Sequence, residues 1–198
     1  DVVLTTLLAV KCINNACRLD LTSVQHILGD SGMQLEFHHA LDLLLGHVAA
    51  ELAREPTTHD GDLIDETLTE LLLLVGYFCL QCPKNQETLN WGQHPTPLRR
   101  LCNLPFRFFS GNRGKAVLFP SLIAASASNA LNRVVIEEEL SCQMFAGFLR
   151  DPPAVAVTPP SGDDDDDTLP AALLLHNRLP EDLQREALAF YTAAPAAP

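Results

Sequence analysis

Apolar residues along this chain recur at helical spacing, and no stretch keeps the strict alternation of a half-buried strand. Leu4, Leu7, Leu8 and Cys12 predict a helix over residues 2–17. Asp20 or Thr22 suits the N-cap of a short helix that closes on Gly29. A third helix, opened by Ser31 and stopped by Pro56, carries the stripe Leu41, Leu44, Leu45, Val48 and Leu52. Residues 56–61 read as a polar loop. Asp62 then caps a helix whose buried face is Ile64, Leu68, Leu71, Leu72, Val75 and Phe78, and Pro83 ends it. Two short units follow, 85–91 closed by Gly92 and 97–103 followed by Pro105, with 106–110 as a brief turn or loop. The pattern next predicts a helix over 112–125, kinked or divided at Pro120, and one long helix over 130–150. The half of that helix from 140 to 149 is apolar nearly all round, the mark of an enclosed position. Glu137, Glu138 and Glu139, near its middle, read as a solvated face.

The texture changes at Pro152. Residues 151–170 combine prolines, a Ser-Gly pair and an uninterrupted Asp run at 163–167, the composition of a disordered acidic linker. Beyond it, Leu183, Ala187 and Phe190 give a short amphipathic C-terminal helix over 181–191, able to dock back on the domain or to stay free of it. The expected organisation is an α-helical domain over 1–150, the linker over 151–170, and a short helix with its tail over 171–198. The fold class is all-α, either an armadillo/HEAT-like helical solenoid or an irregular helical bundle. One texture favours the solenoid. A long apolar helix ends in Pro83-Lys84-Asn85-Gln86, a short helix closes on Gly92, and Leu98, Leu101 and Leu104 resume; residues 118–149 look like a second such unit.

Composition narrows the functional classes. Of 198 residues, 47% are apolar and 19% charged, which excludes global disorder. The net charge of −12 argues against general nucleic-acid binding, where affinity comes from neutralising phosphates. That charge is banded. Residues 36–70 hold nine acids against Arg54 alone, residues 84–115 hold six bases against Glu87 alone, and residues from 151 onward hold nine acids against two bases. The missing initiator Met reads as a mature chain or a piece of a longer one. No signal or transit peptide is visible. The longest apolar run, 71–80, is half of what a membrane helix needs. Six Cys sit mostly in helix-like stretches, as expected for reduced structural thiols.

Catalytic chemistry finds no support. Cys79 and Cys82 have CxxC form, but a thioredoxin-like pair needs a preceding strand, and zinc needs a second ligand pair. His38 with Asp42 and His47 with Glu51 are spaced as surface i,i+4 pairs, not as a metal template. Gly111-Asn-Arg-Gly-Lys115 lacks the Ser or Thr and the earlier Gly of a phosphate loop. No enzyme activity, metal or cofactor is therefore expected. One segment stands out as a candidate partner-binding surface: Arg99, Arg100, Arg107, Arg113 and Lys115 interleave with Phe106, Phe108 and Phe109. Such a mixture can meet phosphates and bases or grip an acidic protein. Equally, the Phe side chains can belong to the core, leaving ordinary solvated charge.

The strings Leu74-Val-Gly-Tyr-Phe78 with Asn85-Gln86, Leu101-Cys-Asn-Leu-Pro-Phe106, Val117-Leu-Phe-Pro-Ser-Leu-Ile-Ala-Ala125 and Glu139-Leu-Ser-Cys142 resemble the C-terminal region of the SCAPER family, S-phase cyclin A-associated protein in the endoplasmic reticulum. The likeness is best over 62–151. It implies a large, mostly helical regulatory protein in the cytoplasm, at the cytosolic face of the endoplasmic reticulum. It also implies a non-enzymatic scaffold or adaptor role. The partners implied are a cyclin A/kinase complex, a deadenylase complex and a ribosome-bound tubulin-sensing factor, which would link the chain to the cell cycle and to tubulin mRNA decay. The alternative is a ribosome- or RNA-contacting module acting through 99–115. The family's zinc-finger segment has no counterpart here, its cyclin-binding segment cannot be placed, and the acidic linker departs from its pattern.

Overall fold

Helices account for most of the computed structural model, which describes residues 2–30, 32–54, 60–153, 156–157 and 168–193. In chain order they are α1 (Val2–Leu19), α2 (Leu21–Gly29), α3 (Gln34–Leu52), α4 (Asp60–Cys79), α5 (Pro83–Thr88), α6 (Pro97–Cys102), α7 (Arg107–Ser110), α8 (Asn112–Ser126), α9 (Ala130–Glu139), α10 (Cys142–Arg150), α11 (Leu175–Arg178) and α12 (Glu181–Thr192). Among the described residues the fold is all-α apart from one minimal parallel pairing of Ala156–Val157 with Thr168–Leu169. Most of the expected acidic linker, including the Asp run, lies outside the described residues.

Local chemistry sets the helix ends. The Asp20 carboxylate accepts from the Ser23 N–H and caps α2, which holds its pKa below the usual value. Pro83 and Pro97 sit in the first turns of α5 and α6, where a missing N–H costs nothing. Two expectations need correction here. Helix α4 begins at Asp60, so Asp62 lies in its first turn and is not its cap. The helix expected over 130–150 is two helices, because Leu140 is extended (φ −136°, ψ −179°) and Ser141 caps α10 by accepting from the Gln143 N–H. The apolar pattern runs through this break. Consequently α10 is one-sided, with Cys142, Phe145, Ala146 and Phe148 buried while Gln143 and Gly147 face water.

The long helices stack side by side: α1 packs on α4, and α4 on α8. Helix α8 is buried from Ala116 to Ser126, and α4 is buried over residues 71–79. One continuous apolar cluster runs from Val10 in α1 to Tyr191 in α12, so the C-terminal helix docks on the same core. Its Tyr191 hydroxyl bonds Ser126 Oγ at 2.7 Å, and its ring packs 5.4 Å from Phe145.

Side chains at the ends of the long helices repeat one hydrogen-bonding scheme. The last carbonyls of a helix have no partner within it and must find one elsewhere. Gln25 in α2 donates to Tyr77 O (2.7 Å) and Leu80 O (2.8 Å) at the end of α4. Gln86 in α5 donates to Ala124 O (2.8 Å) and Ala127 O (3.3 Å) at the end of α8. Arg133 in α9 donates to Phe190 O (2.6 Å) and Ala193 O (2.9 Å) at the end of α12. Between these, Asn85 Nδ2 donates to Phe78 O (2.9 Å) and Gln25 O (3.3 Å), and Asn132 Nδ2 to Ala125 O (2.6 Å) and Gln86 O (2.9 Å). The chain leaves α4 through Gln81 (φ 53°) and α8 through Ser128 (φ 64°). One register offset separates Gln81 from Ser128, Phe78 from Ala125 and Asn85 from Asn132.

Candidate interaction surface

The basic-aromatic segment lies on α6, α7 and the start of α8, and three of its five charges, Arg99, Arg100 and Arg107, are already engaged. Arg99 in α6 bonds Glu138 and Glu139 at the end of α9. Arg100 Nε reaches Asp42 Oδ1 on α3 at 3.0 Å, its guanidinium resting against Gly46, where a Cβ would stand 3.5 Å from Nη1. Arg107 Nη2 meets Asp65 on α4 at 2.5 Å while its guanidinium lies 5.2 Å from the Phe108 ring centre. Each pair joins one helical layer to the next. The banded charge therefore becomes cross-links between an acidic layer, a basic layer and an acidic helix end.

The aromatic members divide. Phe108 is buried and Phe109 is half-buried, 6.5 Å from the Phe119 ring, so both belong to the core. Phe106 is 80% exposed, Arg113 is exposed and Lys115 is half-buried. Gly114 allows α7 and α8 to meet: a Cβ there would lie 2.4 Å from Arg107 O and 2.6 Å from Phe108 Cα. This packing role accounts for the Gly111–Lys115 string that superficially resembles a phosphate loop.

Two other predicted assignments change. Glu137, Glu138 and Glu139 are at the C-terminal end of α9, where the helix dipole disfavours anions. Hydrogen bonds from Asn103 and Arg99 outweigh this and hold the Glu139 carboxyl below its usual range. His38 is not a surface partner of Asp42. It is buried, with Nε2 3.1 Å from where a Gly92 Cβ would stand and its ring 6.0 Å from Trp91. Burial pushes its pKa down, and Asp42 only partly opposes this.

Sequence reasoning missed Arg178. Pro120 lacks the N–H that would satisfy the Ala116 carbonyl inside α8. Arg178 Nη1 donates to Ala116 O (3.1 Å) and Val117 O (2.5 Å), and Nη2 to Ser121 Oγ (2.5 Å), whose hydroxyl donates to Leu72 O. Gly76 leaves room for this group, a Cβ there lying 3.5 Å from Nη2. Among the described residues no carboxylate pairs with Arg178, and burial lowers its pKa to about 10. The available signal was a proline inside a helix, which demands an outside donor.

Four of the six thiols are packing groups. Cys17, Cys79, Cys102 and Cys142 are buried, and burial raises their pKa: to about 11 for Cys17 and Cys142, about 12 for Cys102, and well above the usual value for Cys79. Such thiols hold little nucleophilic thiolate at neutral pH.

No family model matches the chain. Over 187 residues, 92% of its length, it is 35% identical to the human protein named S phase cyclin A-associated protein in the endoplasmic reticulum. It spans 13% of that protein. The chain thus resembles one region of a much longer relative.

Proposed function

We propose that this chain is an armadillo-like helical solenoid serving as a non-enzymatic protein-binding scaffold, in a regulator of the kind its human relative represents. The observation that carries the solenoid reading is the repeated Gln/Asn scheme at the ends of α4 and α8, with the Arg133 counterpart at α12. Its register offset falls within the roughly 40–47 residues of HEAT and armadillo repeats. Stacked units of this kind offer extended binding surfaces. The partners this reading names are a cyclin A/kinase complex, a deadenylase complex and a ribosome-bound tubulin-sensing factor, and the setting is the cytosolic face of the endoplasmic reticulum with a role in tubulin mRNA decay.

The test immobilises the purified chain and challenges it separately with a purified cyclin A/kinase complex, a deadenylase complex and nuclease-treated ribosomes carrying nascent tubulin. Saturable retention of at least one is the expected result. Failure of all three at concentrations of about 10 µM refutes the partner assignment.

The second reading, direct RNA contact through residues 99–115, has one observation in its favour: within that segment Phe106 and Arg113 are exposed and Lys115 is half-buried. Against it, Arg99, Arg100 and Arg107 are neutralised within the molecule. Binding lost on Arg113→Glu with Lys115→Glu, and declining steeply with salt, is the outcome that would favour it.

A further inference from the structure

The two ends of the stack differ in chemistry. At the C-terminal end, α12 buries Leu183, Ala187 and Tyr191 and turns Glu181, Asp182, Arg185 and Glu186 to water. A polar outer face of this kind is how a helical array is closed off. Helix α1 is the opposite. It buries Leu7, Val10, Asn14 and Cys17 against the array and exposes a mostly apolar stripe of Leu4, Leu8, Ala9, Cys12, Ala16 and Leu19, with Thr5 and Asn15 among them. Leu4 is 45% exposed, Leu8 54% and Leu19 89%. The stripe carries no charge. Of the two cations of α1, Lys11 turns to Glu66 on α4 at 2.5 Å, and the exposed Arg18 reaches both the Tyr77 hydroxyl at 3.4 Å and Asn15 Oδ1 at 3.3 Å.

The central long helix of the stack is covered on both sides, whereas α3 also leaves Leu35 and Leu43 in water. Helix α4 takes α1 on one face and α8 on the other, and is buried through 71–79 as a result. The free stripe of α1 is the surface that the same stacking step would cover once more. We propose that it is an interaction surface for a further long apolar helix, from another helical unit of the same polypeptide, seated on α1 as α1 is seated on α4. The resemblance to 13% of a longer protein leaves ample chain in that relative for such a unit. By length and composition α1 could also cross a membrane. Spanning would require tearing α1 from α4, with the loss of Lys11–Glu66 and of the Asn14 amide bonds to Glu70 O and Oε2. A helix neighbour leaves all of these in place. The proposal deepens the stacked reading, and its test is independent of the partner assays above.

Cys12 is the reporter, because it is exposed on the stripe while Cys17, Cys79, Cys102 and Cys142 are buried. Maleimide labelling of Cys12 is followed by mass spectrometry in the 198-residue chain and in the longest natural polypeptide that carries it, with Cys82 as internal control. Cys12 should label at least tenfold more slowly in the longer polypeptide. Leu8→Glu should restore the rate there and leave the melting temperature of the 198-residue chain unchanged, since Leu8 already meets water; Leu4→Glu serves as the second variant. Equal Cys12 labelling in the two polypeptides overturns the proposal. A Leu8-dependent dimer of the 198-residue chain in sedimentation equilibrium overturns it in favour of a second copy. Leu8-dependent pelleting with phosphatidylcholine vesicles overturns it in favour of a lipid surface.

Discussion

Replacing Asn85 by Leu keeps the number of side-chain heavy atoms and removes one amide. Asn85 is 1% exposed, and its Nδ2 serves two carbonyls, Phe78 O at 2.9 Å and Gln25 O at 3.3 Å. A buried acceptor left without a donor costs about 1–3 kcal/mol. The longer bond is the weaker, so the expected loss is about 3 kcal/mol rather than the upper limit of the pair. For a domain of this size that lowers the melting temperature by about 6–12 °C. Urea unfolding followed by circular dichroism at 222 nm measures the loss directly. The slope with denaturant should stay constant, which marks a change in stability and not in the unfolded state. Asn132→Leu should cost a similar amount, because its Nδ2 serves Ala125 O and Gln86 O in the same way. Asn103, exposed and bonded to Arg99 O and Glu139, is the control, with an expected cost below about 1 kcal/mol. If Asn85→Leu falls within about 0.5 kcal/mol of wild type, or costs no more than Asn103→Leu, the carbonyl-satisfying scheme does not hold the stack together.

Gly114→Ala should destabilise by about 1–3 kcal/mol, despite the better helix propensity of Ala, because its Cβ would meet the backbone of Arg107 and Phe108; thermal melts measure this. Arg178→Met should cost about 1–3 kcal/mol, and adding Pro120→Ala should return part of it by restoring an N–H for Ala116 O; a double-mutant cycle should show a coupling near 1 kcal/mol. Cys79 and Cys102 have folded pKa values raised above 9.0, so the unfolded chain loses these protons first. The stability they contribute is complete below pH 9 and falls by up to about 1.4 kcal/mol per pH unit per thiol above it, until the folded thiol itself ionises; urea titrations at pH 8–11 with Cys102→Ala as comparison test this. His38 has a folded pKa below 6.5, so stability should fall on acidification from pH 7 to 5 as the unfolded chain binds the proton more readily, and His38→Gln should flatten that slope.

Helical periodicity made most elements legible because each buried stripe is local in sequence. The break at Leu140 and Ser141 was not, since an apolar pattern continues through it and the extended residue is fixed by what the two helices pack against. His38 and Asp42 have ideal i,i+4 spacing, yet Asp42 is taken by Arg100 from a distant helix, and no local rule could see that competitor. The basic segment was visible as charge, but its acidic partners Asp42, Asp65, Glu138 and Glu139 come from other layers, so its role as cross-link appears only after folding. Asn85 was legible from its place just after a long helix. Its counterpart Asn132 was hidden inside what read as a longer helix.

Direct binding under varied salt separates the two functional readings most sharply. Fluorescence anisotropy of the purified chain against a single-stranded RNA of about 30 nucleotides, and against whichever protein complex it retains, gives both affinities between about 50 and 300 mM salt. The scaffold account predicts a protein affinity that changes less than about threefold over this range, with RNA binding weaker than about 100 µM throughout. Micromolar RNA binding that collapses with salt and disappears on Arg113→Glu with Lys115→Glu would contradict it.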